Sequence, residues 1–68
     1  MLLMTKLRKE KGWSQSVLSH RSGVHVSTIS NIERGRLSPW PGQRASLARA
    51  FGWPEERTDE LFEGVGDE

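Results

Sequence analysis

Apolar residues recur at helical rather than strand spacing along this chain, in five short stretches punctuated by glycine or proline. Gly12, Gly23, Gly35 and Gly52 each follow such a stretch, and glycine enters the left-handed conformation that ends a helix at the lowest cost. The pattern predicts helices over residues 2–11, 15–22, 26–34, 41–51 and 54–63. In the first, Leu3 and Leu7 lie one turn apart with Met4 beside them, and Lys6, Lys9 and Glu10 face outward. Ser14 is a good N-cap for the second, and Trp13 before it is placed to pack over Leu18 as a hydrophobic staple. Val24 and Ile29 repeat the device across His25, and Ile29 with Ile32 supplies the inward stripe of the third. The fourth follows Pro39 and Pro41 and buries Leu47, Ala48 and Phe51. The fifth opens on Pro54, Glu55 and Glu56, residues suited to a helix N-terminus, and has only Leu61 and Phe62 as large apolar residues. No alternating β-branched run is long enough for a strand, and tyrosine is absent. An all-α fold follows, with one five-helix domain over residues 1–63 and an acidic tail, 64–68, expected to be disordered.

Composition narrows the class. At 68 residues and 34% hydrophobic, the chain suits one small domain whose core is a thin seam. The absence of cysteine excludes disulfides and thiolate metal sites and fits a reducing, cytoplasmic setting. No apolar run approaches a membrane span, and the opening Met1–Met4 is cut short by Lys6, so neither a membrane partner nor a secretory signal is expected. The net charge of +1 conceals a division along the chain. Residues 1–49 hold nine Lys/Arg against two acids, net +7, whereas residues 50–68 hold one base against seven acids, net −6. A basic body with an acidic end suits a polyanionic partner, although a solvated surface would also account for it.

The segment from Ser14 to Gly35 carries the chemistry. Two short helices meet at Ser22-Gly23-Val24, a turn too tight for parallel helices, so the chain bends sharply at Gly23. Leu18, Val24, Ile29 and Ile32 lock the pair together, and Ser19 is small where the helices cross. The other face of the third helix then shows Val26, Ser27, Ser30, Asn31 and Arg34. That face is short, polar and nearly free of negative charge, so it fits a major groove, where amides and hydroxyls pair with base edges.

From Leu7 to Leu61 the chain resembles the lambda-repressor-like helix-turn-helix family (Cro/CI-type, XRE-like). The resemblance rests on LRKEKGWSQ, on the small-residue and glycine spacing, on STISNIERGRLSP and on LARAFGW. It implies a compact five-helix DNA-binding domain with its helix-turn-helix at helices 2 and 3, acting as a homodimer on a palindromic double-stranded operator. Carried over by position, Gln15 matches a residue that bonds a phosphate and braces the recognition helix. Val26, Ser27, Ser30 and Asn31 match positions that reach base edges. Arg34, Arg36, Trp40 and Arg44 match positions facing backbone phosphates. Arg8 and Glu33 match a salt bridge between the first and third helices. The residues themselves agree, since Glu33 is the sole acid between positions 11 and 54 and an unpaired carboxylate beside DNA is costly.

Departures from the family pattern raise further expectations. His25 stands where the family prefers Ser or Thr as N-cap, which predicts a looser start to the third helix. Val26 replaces a polar residue, and either meets a thymine methyl or covers Val24. Arg44 replaces an apolar residue, so Trp40 is expected to fill that part of the core, with all three tryptophans packing inward. His20 and His25, without a cysteine or a placed carboxylate nearby, make a poor zinc site. Ser22 and Ser27 near His25 have neither an upstream Asp nor a nucleophile-elbow pattern. Neither catalytic residues, metal, cofactor nor small-molecule ligand is therefore expected. The leading reading is a sequence-specific transcriptional regulator, most simply a repressor or autoregulator. The rival is a protein-interaction module, or an antitoxin-like partner-binding protein, on the same fold.

Overall fold

The computed structural model describes residues 1–66; residues 67 and 68 of the acidic end lie outside the described residues. Four α-helices, α1 (Leu3–Glu10), α2 (Gln15–Ser22), α3 (Val26–Glu33) and α4 (Pro41–Phe51), precede a 3-10 helix, Glu55–Phe62. Each α-helix ends within a residue of where the glycine punctuation places it. At the α2–α3 turn, Gly23 adopts φ 77° and its N–H donates to the Ser19 carbonyl at 2.9 Å, which closes α2 and turns the chain. Ser14 caps the other end of α2, its hydroxyl accepting from the Val17 N–H at 3.1 Å.

The last element falls within a residue of the fifth helix read in the sequence, and it winds as a 3-10 rather than an α-helix. With only Leu61 and Phe62 to bury, it has no apolar stripe of 3.6-residue period to hold an α-helix against the core. The tighter helix places side chains three apart above one another, which suits the Arg57–Glu60 pair at 2.9 Å. The Thr58 hydroxyl also donates to the Glu55 carbonyl at 2.8 Å within the same turn.

The core gathers one or two residues from each element: Met4, Leu18, Val24, Ile29, Ile32, Leu47, Ala48 and Leu61. On α1 the buried face is Met4, Thr5 and Arg8, while Leu3 and Leu7 are half-buried, so the stripe is rotated from the Leu3–Leu7 line read in the sequence. The rotation follows from Arg8, whose guanidinium is drawn inward by the ion pair described below. Trp13 packs on the core and stacks on Phe51, with ring centroids 5.4 Å apart. Arg21 covers Trp13 at 4.6 Å from the ring.

Residues 64 and 65, the start of the stretch expected to be a disordered tail, are paired with the beginning of the chain. The Leu3 N–H donates to the Glu63 carbonyl at 2.9 Å, and the Val65 N–H to the Met1 carbonyl at 2.8 Å, with a bridge between Leu2 and Gly64. Leu2 offers α1 no side-chain cap, so this pairing supplies an acceptor for one of the helix's unsatisfied amides.

Candidate nucleic-acid interface

The third helix divides cleanly between core and surface. At 3.6 residues per turn, Val26, Ser27, Ser30, Asn31 and Arg34 fall within a sector of about 140°. Ile29 and Ile32, on the opposite side, are essentially inaccessible to solvent. Ser27 and Arg34 are exposed, and Val26, Ser30 and Asn31 are half-buried beside them. Beyond the helix, the Gly35 N–H donates to the Ile32 carbonyl and the Arg36 N–H to the Asn31 carbonyl at 2.9 Å. This turn leaves Arg34 and Arg36 exposed at the helix end.

The one acid of α3 borders that sector, but its carboxylate is bound by Arg8 and nearly buried. Glu33 Oε2 accepts from Arg8 Nε at 2.8 Å and Oε1 from Arg8 Nη2 at 3.0 Å, a bidentate pair whose side chains are 7% and 10% exposed. Arg8 Nη1 donates to the Trp13 carbonyl at 2.8 Å, and Gln15 Nε2 donates to Glu33 Oε1 at 2.8 Å. Arg8, Glu33 and Gln15 therefore meet in one network joining α1, the start of α2 and the end of α3. It sets the orientation of α3 and neutralises the carboxylate nearest its exposed face. Gln15 is held as a brace on Glu33, and is half-buried.

His25 also differs from its sequence reading. Its Nδ1 accepts from the Ser27 N–H at 3.1 Å, the bond a Ser or Thr cap would make. The start of α3 is thus capped rather than loose, because an unprotonated ring nitrogen is as good an acceptor as a hydroxyl. The same Nδ1 lies 2.8 Å from Ser27 Oγ.

Trp40 and Arg44 exchange the roles expected of them. Trp40 is 71% exposed and fills no part of the core; its backbone N–H donates to Gln43 Oε1 at 3.0 Å at the start of α4. Arg44 takes the inner place by laying its guanidinium 5.1 Å from the Phe62 ring centroid. There Nε donates to the Pro39 carbonyl at 3.1 Å and Nη1 to Asp59 at 2.8 Å. A long amphipathic stem lets Arg cover apolar surface with its charge satisfied, and here it occupies the place beside Phe62. Arg44 is thereby committed to the protein's own carboxylate, and is set apart from Arg34 and Arg36.

Two short helices crossing at Gly23, the second with a polar outward face and basic residues at its exit, define a helix-turn-helix unit. Residues 3–61 match the helix-turn-helix domain family. An uncharacterised HTH-type transcriptional regulator of Methanothermobacter thermautotrophicus is 38% identical over 60 residues, covering 88% of this chain and 84% of that protein. Another so described, from Sinorhizobium fredii, is 40% identical over 47 residues, covering 69% of this chain and 61% of that protein's length. No solved structure matches the chain significantly. The chain belongs to the helix-turn-helix family, in its lambda-repressor-like, XRE-like form.

Proposed function

We propose that this domain is a DNA-binding transcriptional regulator that reads the major groove with α3. The observation that carries the reading is the disposition of charge on α3. Its only acid is locked inward on Arg8, while Arg34 and Arg36 lie exposed beside Ser27, Ser30 and Asn31. A helix so arranged approaches phosphate without repulsion and offers hydrogen-bonding groups to base edges. Family membership and the names of the two relatives support the same reading.

In mechanism, a homodimer sets two copies of α3 into successive major grooves, about 34 Å apart, on a palindromic operator. A single short helix spans too few base pairs for useful selectivity, which is the argument for two. Arg34, Arg36, the exposed Trp40 and the start of α2 at Gln15 face the backbone, while Val26, Ser27, Ser30 and Asn31 face bases. Repression, including of its own gene, is the simplest outcome of occupying such a site. The test compares specific and non-specific duplexes across a salt series. Asn31→Ala is expected to weaken specific binding far more than non-specific binding. Arg36→Ala is expected to weaken both and to reduce the slope of log affinity against log salt by about 0.9. A salt-independent affinity, or no affinity for duplex DNA, would favour a protein-binding role instead.

A further inference from the structure

His25 does more than close the first turn of α3. The Ser27 backbone N–H can only donate, and it points at His25 Nδ1 from 3.1 Å. Nδ1 is therefore the unprotonated nitrogen, and the ring carries its proton on Nε2. Ser27 Oγ lies 2.8 Å from the same Nδ1, where the hydroxyl hydrogen shares with the backbone N–H the one lone pair of the unprotonated nitrogen. A serine hydroxyl has one hydrogen and two lone pairs, and here the hydrogen is committed within the protein. What Ser27 shows to the outside is an acceptor only.

We infer that His25 is a specificity-determining positioning residue, which makes Ser27 select a base carrying an exocyclic amine in the major groove. The inference rests on the proposed reading of DNA by α3. Adenine N6 and cytosine N4 are the major-groove donors, whereas guanine O6 and N7 and thymine O4 only accept. A freely rotating serine would serve either class. One held by His25 pairs with the amine and meets the guanine or thymine edge acceptor against acceptor. His25 sits at the helix's N-cap and Ser27 two positions on, both exposed in the first turn, the part of a recognition helix that meets base edges in this class of domain.

The experiment selects binding sites from random duplexes with the wild-type chain and with His25→Ala, His25→Asn and Ser27→Ala. One position of each half-site is expected to require adenine or cytosine for the wild type, with a preference of roughly two- to tenfold, the worth of one hydrogen bond. Ser27→Ala and His25→Ala each lose that preference, and His25→Asn retains it because the asparagine Oδ1 accepts from both Ser27 groups. In the Ser27→Ala background, His25→Ala causes no further change at that position. Replacing the selected base by an analogue without the amine, purine for adenine or 2-pyrimidinone for cytosine, weakens the wild type by the same factor and leaves Ser27→Ala unaffected. A His25→Ala protein that binds more weakly to every site yet keeps the same base preference would overturn the inference, leaving His25 a cap alone. A wild type selecting no sequence would overturn the proposed function together with it. Independently of DNA, imidazole nitrogen–proton correlations in the free protein are expected to place the His25 proton on Nε2; a proton on Nδ1 would refute the assignment.

Discussion

Truncating Glu33 to alanine strands the Arg8 guanidinium, whose side chain is only 10% exposed, without its carboxylate. Two charge-assisted bonds are lost, at 2.8 and 3.0 Å, and Gln15 Nε2 loses its acceptor as well. At about 1.5–3 kcal/mol for each bond to a charged group, the loss comes to about 3–6 kcal/mol. Breaking a buried pair from one side costs about 3–5 kcal/mol by a separate route, so the two figures agree. A domain of 68 residues has a total stability of about 3–10 kcal/mol, so the variant should lose from about a third of that stability to all of it. In melting temperature the deficit is about 12 °C or more. Urea titrations followed by far-ultraviolet circular dichroism measure it directly. Replacing both partners, Arg8→Met with Glu33→Leu, should recover most of the loss, because an apolar pair of similar volume leaves no buried charge unpaired. A Glu33→Ala protein within 1 kcal/mol of the wild type, or a double variant no better than the single, would refute the reasoning.

Other substitutions probe separate features. Gly23→Ala should cost about 1–2 kcal/mol, entirely from the left-handed backbone, since a Cβ there meets nothing within 4 Å; denaturant midpoints check it. Trp40→Ala should leave the melting temperature unchanged, given the indole's exposure, while lowering affinity for any duplex in a binding titration. The Glu60 carboxyl is held below its ordinary value by its hydrogen bond to Arg57. The pair's contribution to stability is therefore present above the ordinary carboxylate range and lost as pH falls below it. Both groups are exposed, so Glu60→Gln should lower the melting temperature only slightly at neutral pH and not at all in strong acid.

The helices were legible because their ends are written locally. Ser14 caps α2, Pro41 opens α4, and Gly23 and Gly52 close α2 and α4 in the left-handed conformation. The inward stripe of α3 was legible from helical period; for Glu33, a lone acid in a basic stretch signalled the need of a partner, and the family resemblance supplied Arg8 as that partner. Residues with two ways of being satisfied were not legible. Arg44 and Trp40 are both part apolar and part polar, and only the position of Phe62 and Asp59, remote in sequence, decides which of them turns inward. The pairing of Met1–Leu3 with Glu63–Val65 joins the two ends of the chain through backbone groups, which leave no mark in side-chain pattern. His25 was misjudged because the preference for Ser or Thr at a cap describes frequency, whereas the bond requires only an acceptor within reach.

The clasp between residues 1–3 and 63–65 also governs how this domain can be connected. Val65 and Met1 share a backbone bond at 2.8 Å, so the described backbone returns at residue 65 to the corner where residue 1 lies. A brief glycine-serine tie from residue 65 to residue 1 would make the backbone circular without disturbing a helix. A reporter or enzyme joined before residue 1 or directly after residue 65 would leave from the same place, so the choice would alter its orientation but not which side of the domain it shadows.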